Sequence, residues 1–252
     1  MKMKHFILVL LIFSFGSGSY LMAGDQDSTK VRRNIIRWNL TPFFVVGKKS
    51  FVFGYERILK NKNQSFSINA GYLEKSRLED KDGNPIKIFD QSARGGFDIT
   101  ADYRFYMKSR NKRPAPDGIY WGPYAGYYTV WQEGSMNLMD NDVVKNVVYF
   151  DGRLQMSNIG IQLGYQFVFK HGFTVDLILM GPSFTFYNLN LGLDFKTDID
   201  PNDPFYNDLM EYLKDNTSFL AEFIRNQSFE ADGRLKFSYY GFRYAIQLGY
   251  NF

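Results

Sequence analysis

The chain has 252 residues, 45% hydrophobic and 18% aromatic, with 30 basic and 26 acidic side chains and a formal net charge of +4. That is one domain's worth of sequence, and a charge so close to balance, two units of it carried by Lys2 and Lys4, gives no footing for binding a polyanion such as nucleic acid. Cysteine is absent, which excludes disulfide staples, thiolate metal sites and a lipid anchor on Cys.

The first residues carry a targeting pattern. Lys2 and Lys4 form a positive start, Phe6 to Phe15 an apolar run, and Gly16 to Gly24 a stretch rich in small residues with Ala23 near a cleavage point. The expected organisation is therefore a cleaved export signal over 1–23, a polar leader over 24–33 and one folded unit over 34–252.

Within that unit the dominant pattern has a period of two, the side-chain repeat of a strand. The first expected strand runs from Asn34 to Val46, with Ile36, Trp38 and Leu40 opposite Arg37, Asn39 and Thr41, and Pro42 marks a bend or rim. A tight turn at Gly47 to Ser50 leads to Phe51–Leu59, and Lys60 to Gln64 turns into a third strand with Phe66, Ile68, Ala70 and Tyr72 on one face. A long polar connection, 74–94, precedes strand four, where Phe97, Ile99, Ala101, Tyr103 and Phe105 alternate with Asp98, Thr100, Asp102, Arg104 and Tyr106.

In strand five Gly122, Tyr124, Gly126 and Tyr128 share a face that we assign to the inside. After a second long connection, 132–152, strand six runs from Arg153 to Phe169 and carries Ile161-Gln162-Leu163-Gly164-Tyr165-Gln166-Phe167 near its end. Strand seven begins at Phe173 and loses its phase at Gly181-Pro182, so Phe184 and Phe186 are expected to follow a bulge. The last strand, about 235–252, ends on Ile246-Gln247-Leu248-Gly249-Tyr250-Asn251-Phe252, a near copy of the strand-six ending. The third long connection, 188–234, carries a helical signal: Asp203 and Pro204 start it, and Phe205, Leu209, Tyr212 and Leu213 follow a period of 3.6.

Nearly every candidate strand opposes bulky aromatics to Gly, Gln, Asn, Asp or Arg. A lipid-facing wall around a polar lumen has that pattern, and a bilayer core forces such strands to close on themselves. The expected fold is all-β, a closed antiparallel transmembrane β-barrel of eight strands, with a helical insertion in the last external loop. Ten strands, with Thr185 to Phe195 as an extra pass, is the alternative.

The inward polar set is Arg37, Glu56, Asp98, Asp102, Arg104, Asp176 and Arg243. An eight-stranded barrel is only wide enough for its own side chains, so these charges are expected to pair and plug the lumen rather than line an ion path. No catalytic residues are assigned: His171 lies in a minimal turn, Lys170-His171-Gly172, and lacks a Ser and an acid in sequence context. No metal ligands are assigned either, since Asp80, Asp82 and Asp90, or Asp198, Asp200, Asp203 and Asp208, match no calcium-loop spacing. No cofactor is expected.

The segments Ile36-Arg37-Trp38-Asn39-Leu40-Thr41-Pro42, Gly54-Tyr55-Glu56-Arg57, Ala101-Asp102-Tyr103-Arg104-Phe105-Tyr106, Pro114-Ala115-Pro116-Asp117-Gly118 and Gly122-Pro123-Tyr124 carry a resemblance. In them the chain resembles small, functionally uncharacterised Gram-negative outer-membrane barrel proteins of OmpA/OmpX-like architecture. The terminal Tyr250-Asn251-Phe252 resembles the aromatic assembly signal of such barrels, with Tyr250 and Phe252 as its key residues. The resemblance implies an outer-membrane location, lipid as a permanent partner, and the barrel insertion machinery and periplasmic chaperones as transient ones. It implies no catalytic residues. The expected role is non-enzymatic: a plugged barrel whose external loops serve surface interaction or envelope integrity. A lipid-directed enzyme and a narrow solute pore are the alternatives.

Overall fold

A computed structural model describes residues 32–60, 63–74, 86–111, 113–140, 143–195 and 234–252. Eight strands follow one another: β1 (Asn34–Asn39), β2 (Phe51–Ile58), β3 (Gln64–Leu73), β4 (Ile86–Tyr106), β5 (Gly118–Asp140), β6 (Val143–Val168), β7 (Phe173–Phe195) and β8 (Arg234–Asn251). Each pairs antiparallel with the next. The sheet then closes through β8 and β1, where Arg37 lies opposite Gly249 and Asn39 opposite Gln247, so the eight strands form a closed barrel. Closure is made by hydrogen bonds down to the last residue: Phe252 and Asn34 exchange both backbone bonds, at 2.8 and 3.2 Å.

Side chains sort by strand parity, with exceptions at the β7 bulge and at Tyr239 on β8. On β2, Phe51, Phe53, Tyr55 and Arg57 are exposed while Val52, Gly54, Glu56 and Ile58 are buried. Polar and charged residues fill the inside, and the exposed set is dominated by Phe, Tyr and Ile, with Tyr240 at 79% and Phe242 at 62% exposure. The polarity is the inverse of a water-soluble sandwich, whose enclosed face is the oily one.

Several expected boundaries are corrected. β1 stops at Asn39 rather than Val46, because Pro42 opens a short helix, α1 (Thr41–Val45), where its fixed φ and missing N–H suit the first turn. The connections expected at 74–94 and 132–152 shrink to 74–85 and 141–142, since β4 starts at Ile86, β5 continues to Asp140 and β6 begins at Val143. Within the extensions of β5 and β6, Glu133 and Asp151 are exposed, which interrupts the outward apolar run and gives the sequence there the look of a loop. Thr185 to Phe195 is no additional strand. It continues β7, paired with β6 as far as Val148, and the ten-stranded alternative fails among the described residues. The helical signal at 203–213 and the acidic groups at Asp80, Asp82 and Asp198 to Asp208 lie outside the described residues.

The phase break in β7 is a one-residue bulge. Ile178 pairs with both Gly164 and Ala245, yet the next partners are Met180 with Leu163 and Gly181 with Arg243. Leu179 and Met180 are therefore both exposed, and Phe184 and Phe186 return to the outer face. No described helix is long and apolar enough to cross a membrane, a criterion that does not bear on strands.

Candidate functional site

The lumen holds a charged network in the half of the barrel nearer the chain termini. Parity aims Arg37 (β1), Glu56 (β2), Asp102 and Arg104 (β4) and Asp176 (β7) inward, and the strand registers bring them to similar heights. Asp176 is the hub. Its Oδ2 accepts from Arg37 Nη1 at 2.9 Å and pairs with Arg104 Nη1 at 2.8 Å, and its Oδ1 accepts from the Tyr120 hydroxyl at 2.7 Å. Arg104 also donates through Nε to Asp102 at 2.6 Å and through Nη1 to Gln166 at 3.1 Å, while its guanidinium stacks 4.3 Å over the Tyr120 ring.

Glu56 anchors the second side. It lies 3.4 Å from Arg37 Nη1 and 3.8 Å from Arg104 Nη1, and accepts from Tyr106 Oη at 2.9 Å and from the Ser65 hydroxyl. Ser67 links the two arginine systems, accepting from Arg37 and donating to Asp102 at 3.1 Å. All five charged side chains are fully enclosed. Ions so enclosed persist only when paired with several partners each, because desolvation costs several kcal/mol per ion.

Small residues make room for the large ones. Gly164 sits opposite Tyr120 across the β5–β6 ladder, and a Cβ there would run into the Tyr120 ring. Gly249, opposite Arg37, is similar: its Cβ would come 2.9 Å from Arg37 Cγ. Apolar residues close the interior towards the ends, Ile35 and Ile58 near the termini and Leu189 and Leu235 at the far end.

Of the seven predicted residues, Asp98 and Arg243 stand apart. Arg243 donates to Gln162 at 3.1 Å and lies 5.0 Å over the Tyr124 ring, with no ion pair to Asp98. Tyr106, Tyr120, Gln166, Ser65 and Ser67 complete the network without belonging to the predicted set; Tyr106 shares a strand and its parity with Asp102 and Arg104, whereas the other four lie on β3, β5 and β6, which contribute no charge to it. Gln166 in particular sits two residues from Gly164 on the inward face.

His171 occupies the 3-10 turn Lys170–Gly172 with φ 65°, exposed, which fits a turn residue. In the neighbouring turn between β4 and β5, burial raises the Asp117 carboxyl above its ordinary range, and Arg113 at 3.2 Å opposes that rise. Among the described residues no group of three His, Asp or Glu could hold a metal ion. Tyr250 points outward from the closing strand, and Phe252 forms the seam with Asn34.

No family model, no curated protein and no solved structure matches this chain. The resemblance to Gram-negative outer-membrane barrel proteins is therefore withdrawn. With it go the outer-membrane location, the insertion machinery and the periplasmic chaperones, and the role of Tyr250 and Phe252 as a recognised assembly signal, all of which rested on that kinship. The surface role expected of external loops falls largely on residues outside those described and is likewise not carried further.

Proposed function

We propose that this chain is a non-enzymatic structural barrel whose outer wall is solvated by the acyl chains of a bilayer and whose lumen is closed to solutes. One observation carries the reading: the charges face the enclosed side and the aromatics face out. On β6 the outward residues from Ile159 to Phe169 are apolar or Tyr without interruption, and on β8 the same holds from Tyr240 to Phe252. A tilted strand crosses the hydrocarbon layer in about 9–11 residues, the scale of these runs. Each half-exposed aromatic leaves on the order of 100 Å² of ring in contact with the surroundings, or about 2–3 kcal/mol if those surroundings are water. Around a whole ring of strands such a penalty is untenable in water, and monomeric soluble proteins do not carry apolar patches of that size.

The closed lumen follows from the network. Arg37, Arg104, Tyr106 and Tyr120 fill the cross-section, and an eight-stranded barrel has space for little else. The test uses Trp121, whose side chain is on the outer face. In a W38F/W131F variant reconstituted into vesicles, brominated acyl chains should quench Trp121 fluorescence strongly. A protein that stays monomeric and folded without detergent, with Trp121 unquenched, overturns the reading. Planar-bilayer recording addresses the lumen separately: no steady conductance is expected, and reproducible channels would restore the pore.

A further inference from the structure

Above the apolar wall, on the half of the barrel away from the termini, the outer face of β6, β7 and β8 changes character within two residues. The strand registers place Ile159, Phe184 and Tyr240 in one row, then Ser157, Phe186 and Ser238, then Gln155, Asn188 and Lys236, then Arg153, Asn190 and Arg234. Ring surface thus gives way to amides and cations over one ladder repeat. A groove runs along this boundary, lined by Tyr127, Gln155, Ser157, Phe186, Asn188 and Lys236.

The polar groups of the groove are complementary to a definite headgroup. Lys236 and Arg153 are exposed cations on either side of β7, about 12 Å apart: two strand spacings across and one two-residue step along. Between them the Asn188 amide donates to Gln155 Oε1 at 3.0 Å, which fixes its orientation and leaves Asn188 Oδ1 as a buried acceptor with no partner; Asn190 Oδ1 is in the same state. Two cations flanking unpartnered carbonyl acceptors suit an anion that also carries hydroxyl donors. The acidic residues of this face, Glu133 and Asp151, are paired one row higher, farther from the apolar wall.

We propose that this groove binds the headgroup of an anionic phospholipid that presents hydroxyls beside its phosphate, with the acyl chains lying down the wall over Phe186, Phe184 and Ile159. Lys236 and Arg153 take the phosphate, and Asn188 and Asn190 accept from the hydroxyls. The inference rests on the lipid-solvated wall argued above. It goes further in assigning a specific lipid chemistry to one sector of the perimeter.

The experiment is native mass spectrometry of the full chain released from nanodiscs of phosphatidylcholine containing a minor fraction of phosphatidylglycerol. Phosphatidylglycerol has a phosphate and two hydroxyls, whereas the phosphatidylcholine headgroup has no hydroxyl. Retained phosphatidylglycerol should exceed its share of the bilayer severalfold. That excess should fall to the bilayer's own proportion in K236Q/R153Q, which removes both charge-assisted contacts, and persist in K170Q at the opposite end. Retention in proportion to the bilayer mixture, or an excess that survives K236Q/R153Q, overturns the proposal while Trp121 quenching leaves the lipid-solvated wall standing. Absence of that quenching overturns both.

Discussion

Arg37 and Asp176 are 139 residues apart in sequence and meet at 2.9 Å inside the barrel, joining the first strand to the seventh. The contact spans the lumen rather than a ladder, since β1 pairs only with β2 and β8. Asp176 also receives Arg104 and Tyr120, so one carboxylate ties together β1, β4, β5 and β7.

Removing that hub should be among the most damaging single changes. D176A leaves Arg37 and Arg104 each short of an acceptor and strips Tyr120 of its partner, and loss of one side of a buried ion pair costs about 3–5 kcal/mol. D176N retains an acceptor for Tyr120 and should recover part of the loss. Denaturant titration of the reconstituted protein measures both. A D176A midpoint equal to wild type would show that the network adds nothing to stability.

Steric fit around the network gives a second prediction. G164V places a branched side chain where the Tyr120 ring lies, opposite it on the ladder. Overpacking of this kind costs about 1–3 kcal/mol, and pairing it with Y120A should recover most of that cost even though Y120A alone is destabilising. The double-mutant cycle is read from the same titrations, and strict additivity would disprove the packing relationship.

Strand parity was legible from the sequence because inside and outside differ so sharply in chemistry: alternation alone placed Arg37, Glu56, Asp102, Arg104 and Asp176 on one face. Height was not legible. Asp98 and Arg243 share that face but sit at another level, and only the pairing of β7 with β8, displaced by the bulge at Leu179, sets where Arg243 falls. The extensions of β5 and β6 were mistaken for loops for a related reason. Beyond the apolar stripe, Glu133, Asp151 and Arg153 face outward while Leu154 turns inward opposite the buried Leu189, so the alternation there has the opposite sense to that of the oily wall. Pro42 reads in the sequence as a bend or rim within a strand reaching Val46, because Phe43 and Phe44 keep the strand pattern alive through what is α1.

The seam between first and last strands yields a third prediction. Phe252 contributes through its backbone, donating to Asn34 at 2.8 Å and accepting from it at 3.2 Å, whereas its side chain is half exposed. Deleting Phe252 should weaken closure by about 1–3 kcal/mol, the order of two backbone hydrogen bonds at about 0.5–1.5 kcal/mol each. F252A keeps the bonds and should cost less. Amide exchange at Asn34 reports the difference directly, and equal protection in both variants would mean the seam does not depend on this pair.

A fourth prediction uses depth along β8 to examine the surroundings of the wall. Ile246 lies well within the outward apolar run that starts at Tyr240, and Ser238 lies just beyond that start, on the same face of the same strand. A lysine in the middle of a bilayer costs about 2–4 kcal/mol on the lipid face of a barrel and about 0–1 kcal/mol near the interface. I246K should therefore destabilise the vesicle-reconstituted barrel severalfold more than S238K. In water the order has no reason to hold, because an exposed lysine is hydrated equally well at either position and surface substitutions stay within about 0.5 kcal/mol. Matching unfolding free energies for I246K and S238K would thus remove acyl chains as the solvent of this wall, whatever the stability of the network inside it.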